Sequence, residues 1–222
     1  MAIGCVNRPD PSKDWARGER LILTRIQSTM NFHGSDFFNR HHLDVARDLI
    51  GCSLDWDGCS GIIVESEGYG AAGDEACHLS FRRSARAFFA AHPPGTVYAY
   101  INYGIYWLLN VLAEDGIVLI RALQPTSGLD TMHSRRGAGK REIDLCSGPG
   151  KLGVAIALGA DDHGTPLVGL DHRGIAPRNG SAQPEIQRDV RVGITRAAEL
   201  PWRFLLAGNP HVSVAAGKVK KS

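Results

Sequence analysis

The sequence has no long apolar run, although 43% of its 222 residues are hydrophobic. The longest candidate, residues 105–113, contains Asn110, whereas a membrane helix needs roughly 18 uninterrupted apolar residues. The first thirty residues mix Arg, Lys, Asp and Glu and lack the apolar block of a secretory signal. These absences predict a soluble, intracellular protein without a membrane partner.

Cysteines are few, and the five of them form no Cys-x-x-Cys unit and no Cys/His spacing typical of zinc. We expect reduced thiols, because their number is odd and a core of this size needs no disulfides. Cys77 or Cys146 could be a nucleophile beside a histidine, but a buried, inert thiol is the commoner outcome. We therefore expect neither a structural metal nor a cofactor.

The net charge is also small, at +2, and does not by itself identify a protein that binds a polyanion. Basic residues nevertheless form three clusters. The clusters are Arg82, Arg83 and Arg86, then Arg135, Arg136, Lys140 and Arg141, and more loosely Arg188, Arg191, Arg196 and Arg203. A solvated surface explains any one cluster, whereas the three together modestly favour a polyanionic partner.

Hydrophobic periodicity predicts one α+β domain with a mainly antiparallel curved β-sheet, a protruding β-hairpin and surrounding helices. Ser35 is the expected N-cap of a helix that Gly51 ends. Ser147 is the expected N-cap of a second helix, with Pro149 in its first turn. Backbone N–H groups there, together with Lys151, could hold a phosphate, although an ordinary capped helix fits the spacing equally well.

The remaining segments set the expected boundaries of the domain. Residues 1–32 carry charges and turn formers without periodicity and predict a loose N-terminal arm, and residues 217–222 form a basic tail. The domain itself is expected to span residues 33–216. Residues 70–94, rich in Ala, Gly and Arg, are typical of a functional loop with short helical turns. Strand-like runs that could complete the sheet occur at 189–194 and 202–206.

A period of two between residues 61 and 69 predicts a strand with unlike faces. One face carries Ile62, Val64 and Ser66, and the other carries Ile63, Glu65, Glu67 and Tyr69. A carboxylate pair at i and i+2 most often lies on a solvated strand face. A lone histidine such as His78 is likewise most often a surface residue or a core residue with its hydrogen bonds satisfied. Taken singly, these residues do not identify a function.

From Thr96 the chain alternates again and predicts a meander of three strands, with turns at residues 102–104 and at Asp115-Gly116. If the second turn is a two-residue loop, Asn110 lies opposite Arg121. Tyr103 then stands at a hairpin tip, where Gly or Asn would be expected. An exposed aromatic wedge of that kind is suited to insertion between stacked bases.

Six strings of this sequence, in this order and spacing, resemble the alkyladenine DNA glycosylase family, also called 3-methyladenine or methylpurine DNA glycosylases. They are Ile63-Val-Glu-Ser-Glu-Gly-Tyr69, Asp74-Glu-Ala-Cys-His78, Pro94-Gly-Thr-Val-Tyr-Ala-Tyr100, Tyr103-Gly-Ile-Tyr106, Arg121-Ala-Leu-Gln-Pro125 and Leu145-Cys-Ser-Gly-Pro149. The resemblance runs from about Phe37 to Val214. It implies a monofunctional glycosylase of base excision repair, expected as a monomer inside the cell, whose partner is double-stranded DNA containing damaged purines.

The same resemblance implies that Glu67 is the general base that activates the attacking water. Arg121 and the backbone carbonyl of Val192 would hold that water. An N-glycosidic bond to a positively charged alkylated purine is already primed to break. No lysine occupies a matching nucleophile position, so the resemblance implies water rather than a Schiff base and no lyase activity.

The resemblance also implies a base pocket and a DNA surface. Tyr69, His78 and Tyr100 match the pocket, in which rings stack on both faces of a flipped purine and His78 meets its edge. Asn110 matches a residue that discriminates against normal guanine, and Tyr103 matches the residue that fills the gap left in the duplex. The further DNA-binding candidates are Ile105, Lys140, Arg141 and Lys151.

Departures from the family pattern and competing functions remain. Ile105 stands where methionine is frequent, and the loop 82–93 carries Ser84-Ala85-Arg86-Ala87 in place of a Thr-Pro-Arg-Asn-like stretch, which puts its DNA contacts in doubt. A non-catalytic DNA-binding module would explain the basic clusters but not an aromatic pocket around Glu67. A small-molecule hydrolase or formyl-transfer enzyme using Glu67 and His78 would leave Tyr103 unexplained.

Overall fold

The computed structural model describes residues 31–180 and 183–219, which contain six α-helices and nine β-strands. The helices are α1 (Ser35–Phe38), α2 (His42–Leu49), α3 (His78–Phe81), α4 (Arg83–Ala91), α5 (Leu129–Arg136) and α6 (Pro149–Ala155). The strands are β1 (Ser53–Trp56), β2 (Cys59–Gly70), β3 (Tyr100–Asn102), β4 (Tyr106–Leu108), β5 (Asn110–Ala113), β6 (Gly116–Ser127), β7 (Arg173–Ala176), β8 (Ile186–Asp189) and β9 (Arg203–Leu206). In this part of the chain no helix is long and apolar enough to cross a membrane. Most of the predicted arm and half of the predicted tail lie outside the described residues.

Seven of the strands form one sheet around the long antiparallel pair of β2 and β6. The order is β5-β6-β2-β1-β7, and β9 pairs with β2 and β8. β1 lies beside the first residues of β2, while β9 lies beside Glu65, Ser66 and Glu67. β3 and β4 form a separate hairpin. The predicted α+β class with a mainly antiparallel sheet and surrounding helices is confirmed, and the domain boundaries stay predictions.

The helix predicted to run from Ser35 to Gly51 is in fact two helices, α1 and α2, because the chain turns between them. At the start of α2 the ring Nδ1 of His41 accepts a hydrogen bond from the backbone N–H of Leu43, 3.3 Å away. Ser35 is the first residue of α1 and not its N-cap. The N-cap is Gly34, which has no side chain that could accept a hydrogen bond. Gly51 does follow the end of α2, and its φ of +87° favours glycine.

The second predicted cap is also wrong. Gly148 is the N-cap of α6 and makes no side-chain hydrogen bond, although Pro149 begins the helix as predicted. The hydroxyl of Ser147 instead accepts a hydrogen bond from Nζ of Lys151 at 3.1 Å. The serine oxygen therefore accepts from a lysine side chain of the first turn and not from a backbone N–H of the helix.

The irregular segments contain more order than their composition indicates. Residues 70–94 hold the two helices α3 and α4, in agreement with the predicted helical turns. Of the two strand-like runs near the C-terminus, 202–206 largely forms β9. The run 189–194 is wrong as a strand, because β8 ends at Asp189 and the following residues form a loop.

The long pair of β2 and β6 contains bulges that matter for the site. Glu65 pairs with Ala122 and Ser66 pairs with Ile120, which leaves Arg121 as an extra residue of β6. A register shift just before Glu65 interrupts the strict alternation predicted for residues 61–69. Bulges re-aim side chains, and here the extra residue is directed toward the carboxylates of β2.

The turn between β5 and β6 lies one residue earlier than predicted, so Asn110 pairs with Leu119 and not with Arg121. Gly116 lies inside β6 rather than in the turn. A Cβ at Gly116 would lie 2.3 Å from the backbone oxygen of Tyr69. Asp-Gly is a common turn signal, but this glycine is required by the close approach of two strands.

The β3–β4 hairpin has the predicted tip. Tyr103 lies in its turn, is 83% exposed and has a φ of +52°. Helix α6 packs against the second strand of the hairpin through two glycines. A Cβ on Gly150 would lie 2.9 Å from the ring of Tyr106, and a Cβ on Gly153 would lie 2.1 Å from the backbone oxygen of Trp107. Helix α6 therefore supports the hairpin at short range.

We expect Gly153→Ala to lower the free energy of unfolding by about 1–3 kcal/mol or more, because the added methyl group would overlap the oxygen of Trp107. Helix propensity alone predicts a gain of about 1 kcal/mol. Urea denaturation gives the sign. In the control Gly159→Ala nothing lies within 4 Å of the new Cβ, and we expect a change below about 0.5 kcal/mol. A stabilised Gly153→Ala protein would contradict this close packing.

Candidate active site

A cavity of about 660 Å³ opens between the β3–β4 hairpin, strand β6, helix α3 and the start of helix α6. The structure brings most of the predicted site residues together in its wall. Those residues are Tyr69, His78, Tyr100, Tyr103, Asn110, Arg121, Lys151 and Val192. Glu67 lies directly behind this wall and bonds to three of its members.

Glu67 is fully buried and accepts three hydrogen bonds from the described residues. Its Oε2 accepts from the hydroxyl of Tyr69 at 2.8 Å and from Nη1 of Arg121 at 3.1 Å. Its Oε1 accepts from the backbone N–H of Val192 at 2.7 Å. An ionised carboxylate has about four acceptor positions, so one position on Oε1 is left for a further donor. The N–H contact of Val192 was not foreseen from the sequence, which offered only its carbonyl.

Glu65, two residues earlier on β2, is also fully buried but has a different set of partners. Its Oε1 accepts from Nε of Arg121 at 3.0 Å and from Nε of Arg203 at 2.7 Å. Ser213 donates to it twice, through its backbone N–H at 2.6 Å and its hydroxyl at 2.8 Å. Three of these four donors lie on Oε1 and one, the backbone N–H of Ser213, lies on Oε2. Sequence reasoning missed Arg203 and Ser213, because both reach Glu65 only through the fold.

The protonation states around Glu67 are set by burial and by charge. Burial opposes the charge of Arg121, but the carboxylates of Glu67 and Glu65 outweigh it and raise the pKa of Arg121 above its usual value. Burial, and then the charge of Glu67, raise the pKa of Tyr69 well above its usual value. The tyrosine hydroxyl therefore stays protonated and donates its hydrogen to the carboxylate.

The aromatic side of the cavity is uncharged at neutral pH. Burial, assisted by the charge of Arg82, lowers the pKa of His78 to about 4. Its Nδ1 lies 3.0 Å from the hydroxyl of Tyr98, a residue that the sequence presented as an ordinary strand tyrosine. The ring of Tyr100 lies 4.4 Å from that of His78, and burial raises the pKa of Tyr100 to about 12. A positively charged ring could enter without repulsion from these side chains.

Asn110 is held rigidly in the cavity wall. Its Nδ2 donates to the backbone oxygens of Tyr98 at 3.0 Å and Leu108 at 3.2 Å. Because a carbonyl only accepts hydrogen bonds, these two contacts fix which end of the amide faces the backbone. A side chain fixed in this way has a definite shape toward any bound ring, as the predicted discrimination requires.

The remaining predicted residues lie outside the cavity wall. Ile105 is 67% exposed beside the hairpin tip. Lys140 and Arg141 are exposed, and Nε of Arg141 pairs with Asp144 at 2.7 Å.

Phe81, which sequence reasoning did not select, is 50% exposed and lies in the cavity lining beside His78. The sequence signal that could have identified Phe81 is a large apolar residue in a segment made mostly of small and basic residues.

The described residues also contain four buried thiols and one group of side chains that could bind a metal. Burial raises the pKa of Cys77 and of Cys146 to about 12, which supports the interpretation of inert thiols. His41, His42 and Asp115 lie close enough to share an ion. Asp115 already accepts hydrogen bonds from the backbone N–H and ring of His42, which ties the start of α2 to the β5–β6 turn. The expected lack of a structural metal stays a prediction.

Comparison with known proteins adds an independent observation. Residues 36–210 match the family model described as methylpurine-DNA glycosylase. A Rhizobium meliloti (strain 1021) protein named "Putative 3-methyladenine DNA glycosylase" is 43% identical over 179 residues, which cover 80% of this chain and 94% of that protein. Proteins of the same name are similar in Rhodopseudomonas palustris (strain HaA2), 43% identical over 80% of this chain and 88% of that protein, and in Chlorobaculum parvum, 37% identical over 81% and 90%.

We expect Glu65→Gln to lower the free energy of unfolding by about 3–5 kcal/mol, because the buried guanidinium groups of Arg203 and Arg121 lose a charged partner. Chemical denaturation measures the loss. Glu75→Gln is the matched control, since Glu75 is exposed, and it should change stability by less than about 0.5 kcal/mol. A Glu65→Gln protein as stable as the control would show that the network around Glu65 does not support the fold.

Proposed function

This chain belongs to the methylpurine-DNA glycosylase family, and from that premise we propose that it excises alkylated and deaminated purines from double-stranded DNA with a water activated by Glu67. Membership makes it a DNA-repair enzyme that hydrolyses N-glycosyl bonds in DNA. The proposed substrates are 3-methyladenine, 7-methylguanine, hypoxanthine and 1,N6-ethenoadenine. We further propose that it acts as a monomer, needs no cofactor and has no lyase activity.

The observation that carries the proposal is the unequal pair of buried carboxylates behind an aromatic cavity. Glu65 is bound into the fold by two guanidinium groups and by both donors of Ser213. All three donors of Glu67 instead lie in the wall of the cavity, and one position on its Oε1 accepts from none of the described residues. A general base needs such a position for the proton that it removes. We therefore assign the base to Glu67 and a structural role to Glu65.

The proposed reaction follows from these positions. A water oxygen attacks C1′ of deoxyribose while Glu67 removes a proton from that water. The bond from C1′ to the purine nitrogen breaks, and its electron pair leaves with the purine. Arg121 and the backbone carbonyl of Val192 are the proposed holders of the water. Alkylation or protonation of the purine makes it a better leaving group, so the proposal needs no Lewis acid.

Recognition of the purine is assigned to the neutral walls of the cavity. Tyr69 and Tyr100 are proposed to stack on the flipped ring, because electron-rich faces attract a cationic purine. His78 stays neutral above about pH 4 and can meet the edge of the base by hydrogen bonding without repelling it. Asn110 is fixed by two backbone carbonyls and is proposed to exclude the exocyclic amine of normal guanine.

DNA itself is proposed to lie across the mouth of the cavity. A base cannot be attacked inside the stack, so the target nucleotide must flip out of the duplex. Tyr103 is proposed to fill the gap, with Ile105 beside it in the minor groove. Lys151, Lys140 and Arg141 are the proposed contacts to the DNA backbone. Nζ of Lys151 donates a hydrogen bond to the hydroxyl of Ser147, and we assign this lysine to a phosphate rather than to Schiff-base chemistry.

The two competing functions account for fewer of these features. A non-catalytic DNA-binding module gives no reason to bury Glu67 behind an aromatic cavity. A small-molecule hydrolase gives no reason for an exposed aromatic side chain at the tip of a hairpin. Strand cleavage after alkali treatment of a duplex containing hypoxanthine or 1,N6-ethenoadenine distinguishes the proposed glycosylase from both alternatives, because only a glycosylase leaves an alkali-labile site.

We expect Glu67→Gln to bind a damaged duplex within a few-fold of the wild-type affinity but to lose most excision, because the amide is isosteric but cannot take a proton from water. Gel-shift titration and single-turnover excision measure the two properties. Glu75→Gln, on an exposed neighbouring loop, should excise normally. A Glu67→Gln enzyme of near wild-type rate would refute the assignment of the base.

We expect Tyr103→Ala to lower the fraction of flipped base by about tenfold, equivalent to about 1.4 kcal/mol, because its ring no longer fills the vacated space. The defect should shrink when the lesion is mispaired, since flipping is then easier. Stopped-flow fluorescence of 1,N6-ethenoadenine in paired and mispaired duplexes measures both. An equal loss in the two duplexes, or no loss in either, would mean that Tyr103 is not a wedge.

A further inference from the structure

We propose that Arg191, paired with Asp74, is a positioning residue for Glu67, because it holds two of the three groups that donate hydrogen bonds to that carboxylate. The inference rests on the proposed function, in which Glu67 is the general base. Neither Arg191 nor Asp74 lies in the wall of the cavity. Any effect of the pair on the reaction therefore passes through other residues.

The pair is a two-pronged ion pair without exposure to solvent. Nη1 of Arg191 lies 2.6 Å from Oδ2 of Asp74, and Nη2 lies 2.8 Å from Oδ1. The same two nitrogens also donate to the backbone oxygens of Gly68 at 3.0 Å and Ala197 at 3.1 Å. Four hydrogen bonds thus fix the plane of the guanidinium, and a planar group held at both ends is a stiff support.

That plane supports Tyr69 directly. The central carbon of the Arg191 guanidinium lies 4.6 Å from the centre of the Tyr69 ring, at cation–π distance. Tyr69 is the residue whose hydroxyl donates to Glu67 at 2.8 Å. A shift of the guanidinium would therefore move the first of the three donors.

The second donor follows Arg191 in the chain. The backbone N–H of Val192 is 2.7 Å from Oε1 of Glu67, in a loop that contains no regular secondary structure. The buried side chain of Arg191 fixes this loop to the body of the protein. Of the three donors to Glu67, the Arg121 guanidinium is the one that the pair does not contact.

Asp74 extends the same support to the other side of the cavity. Its carboxylate accepts hydrogen bonds from the backbone N–H groups of Gly70 and Ala76, both at 3.1 Å. These contacts shape the turn that leads from β2 to His78 at the start of α3. One buried ion pair therefore joins the turn before His78 to the loop of Val192, so the pocket and two of the three donors to Glu67 share one support.

Arg191 stays charged in its buried position. Burial opposes this charge, but Asp74, Tyr69 and Glu67 outweigh it and raise the pKa of Arg191 above its usual value. The ion pair with Asp74 is therefore maintained.

Two variants test this support. Arg191→Lys keeps a cation but lacks the planar fork, so we expect single-turnover excision of hypoxanthine to fall about tenfold while the Kd for the duplex changes less than about twofold. The double variant Asp74→Asn/Arg191→Met removes both charges and leaves no unpaired buried ion. Its excision rate should fall similarly, with a similarly small change in Kd.

Arg173→Lys is the matched control. Arg173 also lies over an aromatic ring, that of Trp56 at 4.3 Å, and pairs with two carboxylates, Asp57 and Asp162. It has no contact with Glu67 or its donors. We expect this variant to lose stability but to keep the excision rate of its folded fraction within about twofold.

A wild-type rate in Arg191→Lys would overturn the inference. So would a rate per folded molecule that falls no further than that of Arg173→Lys, because the pair would then only stabilise the fold. If Arg191→Lys does not fold, the double variant decides, and a wild-type excision rate in that variant overturns the inference. An active Glu67→Gln enzyme, or a wild-type protein that excises nothing, refutes the proposed function instead.

Discussion

The structure depends on the burial of two carboxylates on one strand. Glu65 and Glu67 are both inaccessible to solvent, and an unpaired buried charge would cost several kcal/mol or more in a medium of low polarity. Three distant parts of the chain supply the compensating groups. β6 inserts an extra residue to aim Arg121 at both carboxylates, β9 adds Arg203, and the C-terminal segment returns to place Ser213 on Glu65.

The partners, rather than the residue type, make the two carboxylates different. Glu65 is held by two guanidinium groups and by both donors of one serine, so it is part of the fold. Glu67 is held by a tyrosine hydroxyl, one guanidinium and one backbone N–H, and it adjoins the cavity. When two neighbouring acidic residues lie in different environments, they commonly have different roles. The same strand thus carries a structural acid and the proposed catalytic one.

Local sequence patterns correctly predicted the features that depend on interactions between neighbouring residues. The hairpin tip at Tyr103, the strand that carries Glu67 and the α+β class follow from turn residues and from the period of two. The predicted strand partner of Asn110 was wrong because Asp115-Gly116 was taken as the turn. Gly116 instead lies in the strand, where the backbone of Tyr69 leaves no room for a Cβ. Contacts that join residues more than a hundred positions apart leave no periodic signal. The N–H of Val192 on Glu67 and the ion pair of Asp74 and Arg191 belong to that class.

The cavity combines two features that each lower the stability of the fold, an exposed tyrosine at the hairpin tip and two buried carboxylates. An exposed tyrosine with a positive φ is unfavourable at a tip, and strands of three residues do not stabilise a hairpin alone. Helix α6 offsets this by close packing at Gly150 and Gly153, so the tip is presented on a supported element. In the proposed role of Tyr103 as a wedge, a supported tip limits the entropy lost when a duplex binds. The proposed substrate, which enters the cavity with one nucleotide and stays outside with the rest, accounts for both the depth of Glu67 and the exposure of Tyr103.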